Sequence, residues 1–376
     1  MRYCLLLLLF ALPLQADNLI DQQLPDFYQQ LLPQTQYPLS WQPEQFSDIQ
    51  QWRTKGRAAL REALLWPDEP VDFAAKLIKT EAREGYSAQL WSVQLTKQSR
   101  VQLLVLQPDN TAPAPAVLLL HDHGARFDIG KEKWIKPFAT DRRLSSAQQW
   151  ADKYFSGNFV GDALARQGYL VIAADTFGWS DRGPIEYDAQ QALAGNMFML
   201  GRSLAGMAAY EDLRLVDYIK QLPQADSNRL AVLGFSMGAF RAWQLTALTD
   251  DIKAGVAVAW FNSFRYLLTP GNNILKGQSA FYMLHPGLAA KLDIPDIAAL
   301  SAPKAMLFIN GGKDPLMPTA GVEYAYTQLA RVWQAHAAPE KLTTTMYPKY
   351  SHEFNAEQQQ QVFNWLATQL AAPAKD

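Results

Sequence analysis

Along the N-terminal part of the chain, apolar residues recur first at the spacing typical of a helix and then at the spacing typical of strands. Residues 47–66 carry apolar side chains at helical spacing, with Ser47 as the predicted N-cap and Pro67 as the stop. Residues 90–95 and 101–106 alternate loosely between apolar and polar, which predicts two antiparallel strands.

From residue 116 onward, short apolar runs alternate with longer amphipathic stretches. The predicted strands are 116–120, 169–173, 230–233, 254–260, 305–309 and 342–347, and the predicted helices are 159–166, 204–222, 238–248, 318–336 and 356–370. This alternation is typical of βαβ units. It predicts an α/β fold with a mostly parallel central sheet, helices on both faces and an antiparallel edge. We expect one catalytic domain over residues 86–376, with a helical lead-in, residues 17–85, packed on it.

Residues 1–16 have the pattern of a secretory signal peptide. Arg2 precedes an apolar run too short to cross a bilayer, and Leu14 and Ala16 suit the −3 and −1 positions of a cleavage site. Cleavage after Ala16 would give a secreted or periplasmic protein without a membrane segment, whereas an uncleaved anchor is the alternative. The single cysteine, Cys4, would be removed, so the mature chain would hold no disulfide.

Charge narrows the range of partners. The chain of 376 residues has 34 Lys and Arg against 36 Asp and Glu, so it lacks the positive excess that binds phosphate backbones. We therefore expect no nucleic-acid partner.

The stretch Gly-Phe-Ser-Met-Gly, residues 234–238, joins a predicted strand to a predicted helix. Gly-x-Ser-x-Gly occurs by chance in many chains, but strand–turn–helix is the context that a nucleophile elbow requires. Glycines on both sides would let the strained turn close, and Ser236 would lie at a helix N-terminus. The backbone N–H of Met237 is then a predicted oxyanion donor.

A serine nucleophile needs a base and an acid that orients the base. In this type of fold the chain order is serine, acid, histidine. His121 and His123 precede the serine, His285 precedes the best acid candidate, and His336 falls inside a predicted helix. His352, between the last strand and the last helix, is therefore the predicted base.

Asp314 is the predicted acid because it follows a strand in a loop with two glycines before it and Pro315 after it. The alternative is a turn aspartate that bonds only its own backbone. The loop after residues 116–120 should supply the second oxyanion donor, the backbone N–H of His123 or a close neighbour.

His121 and His123 also form a His-x-His pair, which a metal-dependent barrel hydrolase could use. Two histidines are too few ligands for a catalytic zinc site. We therefore predict no metal site, and expect His121 to pack beneath the loop.

The motifs together resemble the α/β-hydrolase superfamily, in particular the secreted acetyl xylan esterase and dienelactone hydrolase-like esterases. The resemblance covers most of residues 116–376 and rests on LLLHDHGARFDIGKEK, AADTFGWSDRG, LGFSMGAFRAW, HPGLAAKLDIPDIAALSAPKAMLFINGGKDPLMP and YPKYSHEF. It implies a serine esterase with a Ser-His-Asp triad and no cofactor. The implied substrates are acylated plant or algal polysaccharides or oligosaccharides, or other small esters.

Side chains near the predicted strand ends are the candidates for substrate contact. Trp179 and Trp260 could stack on sugar rings, with core packing as the alternative. Arg126, Arg182 and Lys133 could meet an acidic sugar, although solvated surface charge is the simpler expectation.

Other activities stay open at this point. A dienelactone hydrolase-like or peptidase-type serine hydrolase would use the same triad, as would a methylesterase on uronic acid polymers. Glucuronoyl methylesterases usually place an arginine after the serine, where this chain has Met237. A metal hydrolase and a catalytically silent carbohydrate-binding protein are the remaining alternatives.

Overall fold

A computed structural model describes residues 31–42, 45–46, 48–67, 69–110, 113–268 and 281–372. The predicted signal peptide lies outside these residues. Within the described part, one sheet contains nine strands: β1 (Lys76–Arg83), β2 (Tyr86–Gln94), β3 (Arg100–Pro108), β4 (Ala114–Leu120), β5 (Leu170–Ala174), β6 (Ala225–Phe235), β7 (Ala254–Val258), β8 (Ala305–Gly311) and β9 (Leu342–Tyr347).

The sheet has the order β1-β2-β3-β5-β4-β6-β7-β8-β9. Neighbours from β5 to β9 in this order pair in parallel, whereas β1, β2 and β3 form an antiparallel edge. The predicted fold class is confirmed, including the antiparallel edge.

Helices cover both faces of the sheet. They are α1 (Ile49–Leu64), α2 (Leu144–Tyr154), α3 (Val160–Arg166), α4 (Tyr187–Met199), α5 (Leu204–Gln221), α6 (Met237–Leu248), α7 (Phe264–Leu267), α8 (Ile294–Ala299), α9 (Thr319–Ala335) and α10 (Ala356–Gln369). Short 3-10 helices occur at Leu32–Gln34, Lys131–Lys133, Ser180–Arg182, Leu288–Ala290 and Pro339–Lys341.

Alternate side chains of the central strands point to two separate cores, because successive side chains of a strand face opposite sides. Leu119, Leu233 and their same-face neighbours pack with side chains of α3 and α10. Leu118 and Val232 face the other side and pack with α5 and α6. These strands are buried on both faces, which explains their continuous apolar runs.

Part of the predicted lead-in joins the sheet. Helix α1 is present, but its N-cap is Asp48, whose side chain accepts a hydrogen bond from the Gln50 N–H, and the predicted cap Ser47 lies outside the described residues. Strand β1 was not predicted, because most of its side chains are exposed and KLIKTEAR lacks a period of two. The expected domain boundary at residues 85 and 86 therefore falls at the turn of the β1–β2 hairpin.

Helix α1 packs against the start of α5 through a close backbone contact. The Ser203 hydroxyl donates to the Leu64 carbonyl at 2.5 Å and accepts from the Gly206 N–H at 2.9 Å. A Cβ added at Gly206 would lie 1.8 Å from the Leu64 carbonyl oxygen. Only glycine allows this approach of the two helices.

None of the helices in the described ranges combines the length and the apolar character that crossing a membrane requires.

Replacing Gly206 with alanine should separate α1 from α5. We expect Gly206→Ala to lower the free energy of unfolding by about 1–3 kcal/mol, the usual cost of overpacking. Gly195→Ala is the matched control, since nothing lies within 4 Å of the added Cβ in α4. It should be neutral or stabilising by roughly 0.5–1 kcal/mol. Urea unfolding of both variants tests this, and equal midpoints would contradict the close contact.

Candidate active site

Ser236 occupies a sharp turn between β6 and α6. It has φ 55° and ψ −123°, a conformation that is strained for a residue other than glycine. Its N–H donates to the Val258 carbonyl at 2.8 Å, and its carbonyl accepts from the N–H groups of Ala239 and Phe240 at 2.8 and 3.1 Å. Bonds to both the neighbouring strand and the following helix hold the strained turn in place.

The two glycines of the motif allow the backbone to pack closely at this turn. A Cβ at Gly234 would lie 1.9 Å from the Gly238 carbonyl oxygen, and one at Gly238 would lie 1.8 Å from the Leu120 carbonyl oxygen. The turn is therefore pressed against the carboxyl end of β4, in addition to being tight in itself.

His352 and Asp314 lie in a hydrogen-bonded chain with Ser236. His352 Nε2 is 2.9 Å from Ser236 Oγ, and His352 Nδ1 is 2.7 Å from Asp314 Oδ2. The Asp314 side chain is fully buried, while the imidazole is 17% exposed. An imidazole oriented in this way can take the hydroxyl proton at Nε2 while the carboxylate stabilises the resulting imidazolium.

Main-chain bonds join the loops that carry the acid and the base. Gly312 N–H donates to the Tyr347 carbonyl at 2.8 Å, and Lys313 N–H donates to the Tyr350 carbonyl at 2.9 Å. Asp314 Oδ1 accepts from the Leu316 N–H at 2.9 Å, so each carboxylate oxygen has a donor. Asp314 therefore bonds its own loop, as a turn aspartate would, and also contacts His352.

The loop that should supply the second oxyanion donor begins beside the serine. Leu120 pairs with Gly234 in the parallel ladder, so the segments that follow the two residues leave the sheet side by side. Among hydrogen bonds between described residues, none uses the backbone N–H of Met237 or of His123.

The side chains of His121 and His123 are buried and hydrogen-bonded. His121 Nδ1–H donates to the Asp122 carbonyl at 2.8 Å, and its Nε2 accepts from the Thr176 N–H at 3.1 Å. His123 lies 3.2 Å from Gln190 Oε1 through Nε2, and its Nδ1 accepts from a main-chain N–H. Burial holds the pKa of His121 well below its usual range and lowers the pKa of His123 to about 4. Each ring also accepts a main-chain N–H on one nitrogen, as a neutral imidazole does, and His121 is buried between Asp122 and Thr176.

Three carboxylates come close enough to hold a metal ion in the described part of the chain, and neither histidine is among them. They are Glu132, Asp175 and Asp181. The Lys131 ammonium contacts all three at 3.0, 2.6 and 2.7 Å. Arg143 also pairs with Glu132 and Asp181, so two cations together offset most of the charge of the three carboxylates.

The predicted stacking role of the two tryptophans is wrong. Trp179 is completely buried, and its indole N–H donates to the His123 carbonyl at 3.0 Å. Trp260 is also buried, with its ring 5.2 Å from that of Phe240. The Trp179 ring packs against rings from distant parts of the chain, those of His121, His123, Phe127 and Tyr282. The local glycine- and aspartate-rich sequence therefore does not reveal its burial.

Two of the three cations predicted to face an acidic sugar are engaged inside the protein. Arg182 makes a two-bond ion pair with Glu211, at 2.5 and 2.9 Å. Lys133 is completely buried beside Asp122. Both predictions are corrected, because these charges neutralise buried carboxylates. Arg126 is partly exposed and donates to Gln149 at 2.8 Å.

Helix α4 brings two residues to the site that sequence reasoning missed. Tyr187 is 43% exposed, and its ring stacks over His123 with a centroid distance of 6.3 Å. Gln190 is buried and bonds both His123 and the Ile185 carbonyl. The stretch from 187 to 199 is rich in Ala and Gln and has no dominant apolar face, so its periodicity gave no helix signal.

A mostly parallel sheet, with a serine at a strand-to-helix elbow and an aspartate and a histidine after the last two strands, defines the α/β class of hydrolases. The chain belongs to the Abhydrolase family, whose sequence profile matches residues 25–369. The predicted resemblance is confirmed, and the protein is a hydrolase of the α/β type.

Individual relatives agree with this assignment. The chain is 28% identical to YtaP of Bacillus subtilis strain 168, a protein named as a hydrolase. The alignment of 268 residues covers 71% of this chain and 83% of YtaP. It is similar in structure to a Bacteroides fragilis protein assigned as an acetyl xylan esterase, with a TM-score of 0.67, 22% identity and coverage of 86% and 81%. It is also similar to a glucuronoyl esterase from Solibacter usitatus, with a TM-score of 0.60, 13% identity and coverage of 84% and 92%. At these identities the two structures share the fold.

His285, which chain order excluded as the base, offers a test by pH. It is buried and bonds Gln244, and burial lowers its pKa from 6.5 to about 3. At pH values between 3 and 6.5, His285 binds a proton in the unfolded chain but not in the folded chain. The free energy of unfolding therefore decreases as the pH falls below 6.5.

His285→Gln removes the titrating group. The free energy of unfolding of the variant should decrease less steeply with falling pH than that of the wild type, by up to about 1.4 kcal/mol per pH unit between pH 6 and 4.5. Urea unfolding at several pH values compares the variant with the wild type. Identical slopes would mean that His285 does not resist protonation in the folded state.

Proposed function

We propose that this protein is a serine esterase in which Ser236 is the nucleophile, His352 the general base and Asp314 the residue that orients it. One observation carries the proposal. A continuous chain of hydrogen bonds, 2.9 and 2.7 Å long, joins Ser236, His352 and Asp314, and it begins at a serine held in a strained elbow.

In the first step, Ser236 Oγ attacks the ester carbonyl carbon as its proton moves to His352 Nε2. The carbonyl electron pair moves onto oxygen, where the backbone N–H groups of Met237 and His123 stabilise the negative charge. Collapse of this intermediate breaks the bond to the alcohol, which leaves with the proton from His352.

In the second step, water attacks the acyl group on Ser236 and gives its proton to His352. Collapse of the second tetrahedral intermediate breaks the acyl–oxygen bond, returns the proton to Ser236 and releases the carboxylic acid. All proton transfers involve the same imidazole nitrogen.

The ester that fits best is an acyl group on a carbohydrate. Structural relatives that carry esterase names act, by those names, on acetylated xylan and on glucuronoyl esters. Met237 occupies the position where glucuronoyl methylesterases usually place an arginine, which favours deacetylation over uronate demethylation. The exposed ring of Tyr187, over His123, offers a face on which a sugar can stack.

Access to such a polymer requires export. We propose that the segment 1–16 is a cleaved signal peptide, and that the mature protein, in which strand β1 of the lead-in 17–85 extends the sheet of the catalytic domain 86–376, acts outside the cytoplasm.

Covalent labelling tests the nucleophile. The wild type should be labelled by a fluorophosphonate and should hydrolyse an aryl acetate. Ser236→Ala should not be labelled, and its kcat should be lower by at least about 10⁴-fold. Ser145→Ala, at an exposed serine near the start of α2, is the control and should retain both. A wild type that is not labelled, or a Ser236→Ala variant that still is, would overturn the proposal.

Truncation of Tyr187 tests the sugar contact. Tyr187→Ala should raise KM for an acetylated xylo-oligosaccharide about 3- to 10-fold, the size of one aromatic contact, and leave KM for a small aryl acetate unchanged. Tyr187→Phe keeps the ring and should behave like the wild type. An equal rise in KM for both substrates would show that the ring supports the loop and does not bind sugar.

A further inference from the structure

Lys133 places a fully buried positive charge beside the proposed oxyanion loop. Its side chain is 0% exposed, and its ammonium lies 4.6 Å from the centre of the Trp150 ring. The three N–H bonds have three acceptors: Asp122 Oδ2 at 3.0 Å, and the carbonyl oxygens of Asp122 and His123, each at 3.1 Å. Burial lowers the pKa of Lys133, and the Asp122 carboxylate opposes that shift.

Two of these acceptors belong to the loop backbone itself. The Asp122 carbonyl accepts from Lys133 and also from His121 Nδ1–H, at 2.8 Å. This carbonyl is one half of the peptide group whose other half is the His123 N–H, the proposed oxyanion donor. In a trans peptide the two point in opposite directions, so the N–H points away from Lys133.

A donor bound to a carbonyl oxygen draws electrons from the whole peptide group and makes the N–H at the other end a stronger donor. Hydrogen bonds arranged in such chains reinforce one another, and the effect is larger where water is excluded. Two donors, one of them charged, act on the Asp122 carbonyl. The same bonds also fix the rotation of the peptide, and therefore the direction of the N–H.

We propose that Lys133 is a positioning residue of the oxyanion site, which holds and polarises the Asp122–His123 peptide so that its N–H binds the developing oxyanion. This inference rests on the proposed esterase function. It assigns to the ammonium a role that acts through the backbone and requires no contact with substrate.

Lys133→Met and Lys133→Gln test the role. Loss of one oxyanion donor typically costs about 10²–10³ in kcat, so weakening one donor should lower kcat for an aryl acetate about 10- to 100-fold in Lys133→Met, with KM within about twofold. Affinity for a phenyl trifluoromethyl ketone, which forms an oxyanion on the serine, should fall by the same factor as kcat/KM. Lys133→Gln keeps a neutral donor and should give an intermediate loss.

Lys304→Met is the matched control. The Lys304 side chain is 13% exposed and its ammonium also donates to two main-chain carbonyls, those of Thr246 and Thr249, but it lies before the amino end of β8, opposite the site. This variant should lose stability and keep the wild-type kcat. Thermal unfolding of each variant reports stability separately from activity.

The outcomes separate the two proposals. A folded Lys133→Met or Lys133→Gln variant with wild-type kcat overturns the role of Lys133, while labelling of Ser236 in the wild type upholds the esterase. A loss of kcat without loss of ketone affinity, or an equal loss in Lys304→Met, also overturns it. If Lys133→Met does not fold, Lys133→Gln carries the test. A wild type without labelling or hydrolysis overturns both proposals.

Discussion

The register of the parallel strands is the constraint on which the site depends. Strands β4, β6, β7, β8 and β9 are neighbours in the sheet, and their carboxyl ends meet at one edge. Because the register is set by burial of alternate side chains on both faces, a slip of one residue would turn every core side chain to the wrong layer. The same packing that stabilises the domain therefore fixes where the serine, the aspartate and the histidine leave the sheet.

The loops at this edge are held largely by buried ions, in contrast to the apolar strands below them. Lys131 is buried with Glu132 and Asp175 and also pairs with Asp181, and Arg182, in the loop after β5, makes a mostly buried pair with Glu211 of α5. A further buried pair, Arg241 with Asp212, joins the helices α6 and α5. Such pairs contribute little net stability but are costly to break singly. The pairs of Lys131 and Arg182 give the loops that carry them a defined position.

The sequence predicts those features of the structure that depend on local patterns and chain order, and does not predict those that depend on contacts between distant residues. Apolar runs predicted the central strands, and chain order with strand-end placement led to Ser236, Asp314 and His352, because these depend on topology alone. Side-chain exposure depends on distant parts of the chain. Trp179 and Arg182 lie in a polar loop, yet the ring is covered and the cation is paired. The sequence did not identify Tyr187 as a site residue because α4 is not amphipathic in the usual way. It did not predict β1 because β1 is an exposed edge strand.

The main-chain bonds between the β8 and β9 loops have a mechanical consequence. With Gly312 bonded to Tyr347 and Lys313 to Tyr350, the loops that carry the aspartate and the histidine are joined to each other through their main chains. The orientation of the imidazole therefore rests on the contact between these two loops. The distance from His352 Nε2 to Ser236 Oγ depends in addition on the sheet between them, because the Ser236 N–H is bonded to β7, which pairs with β8.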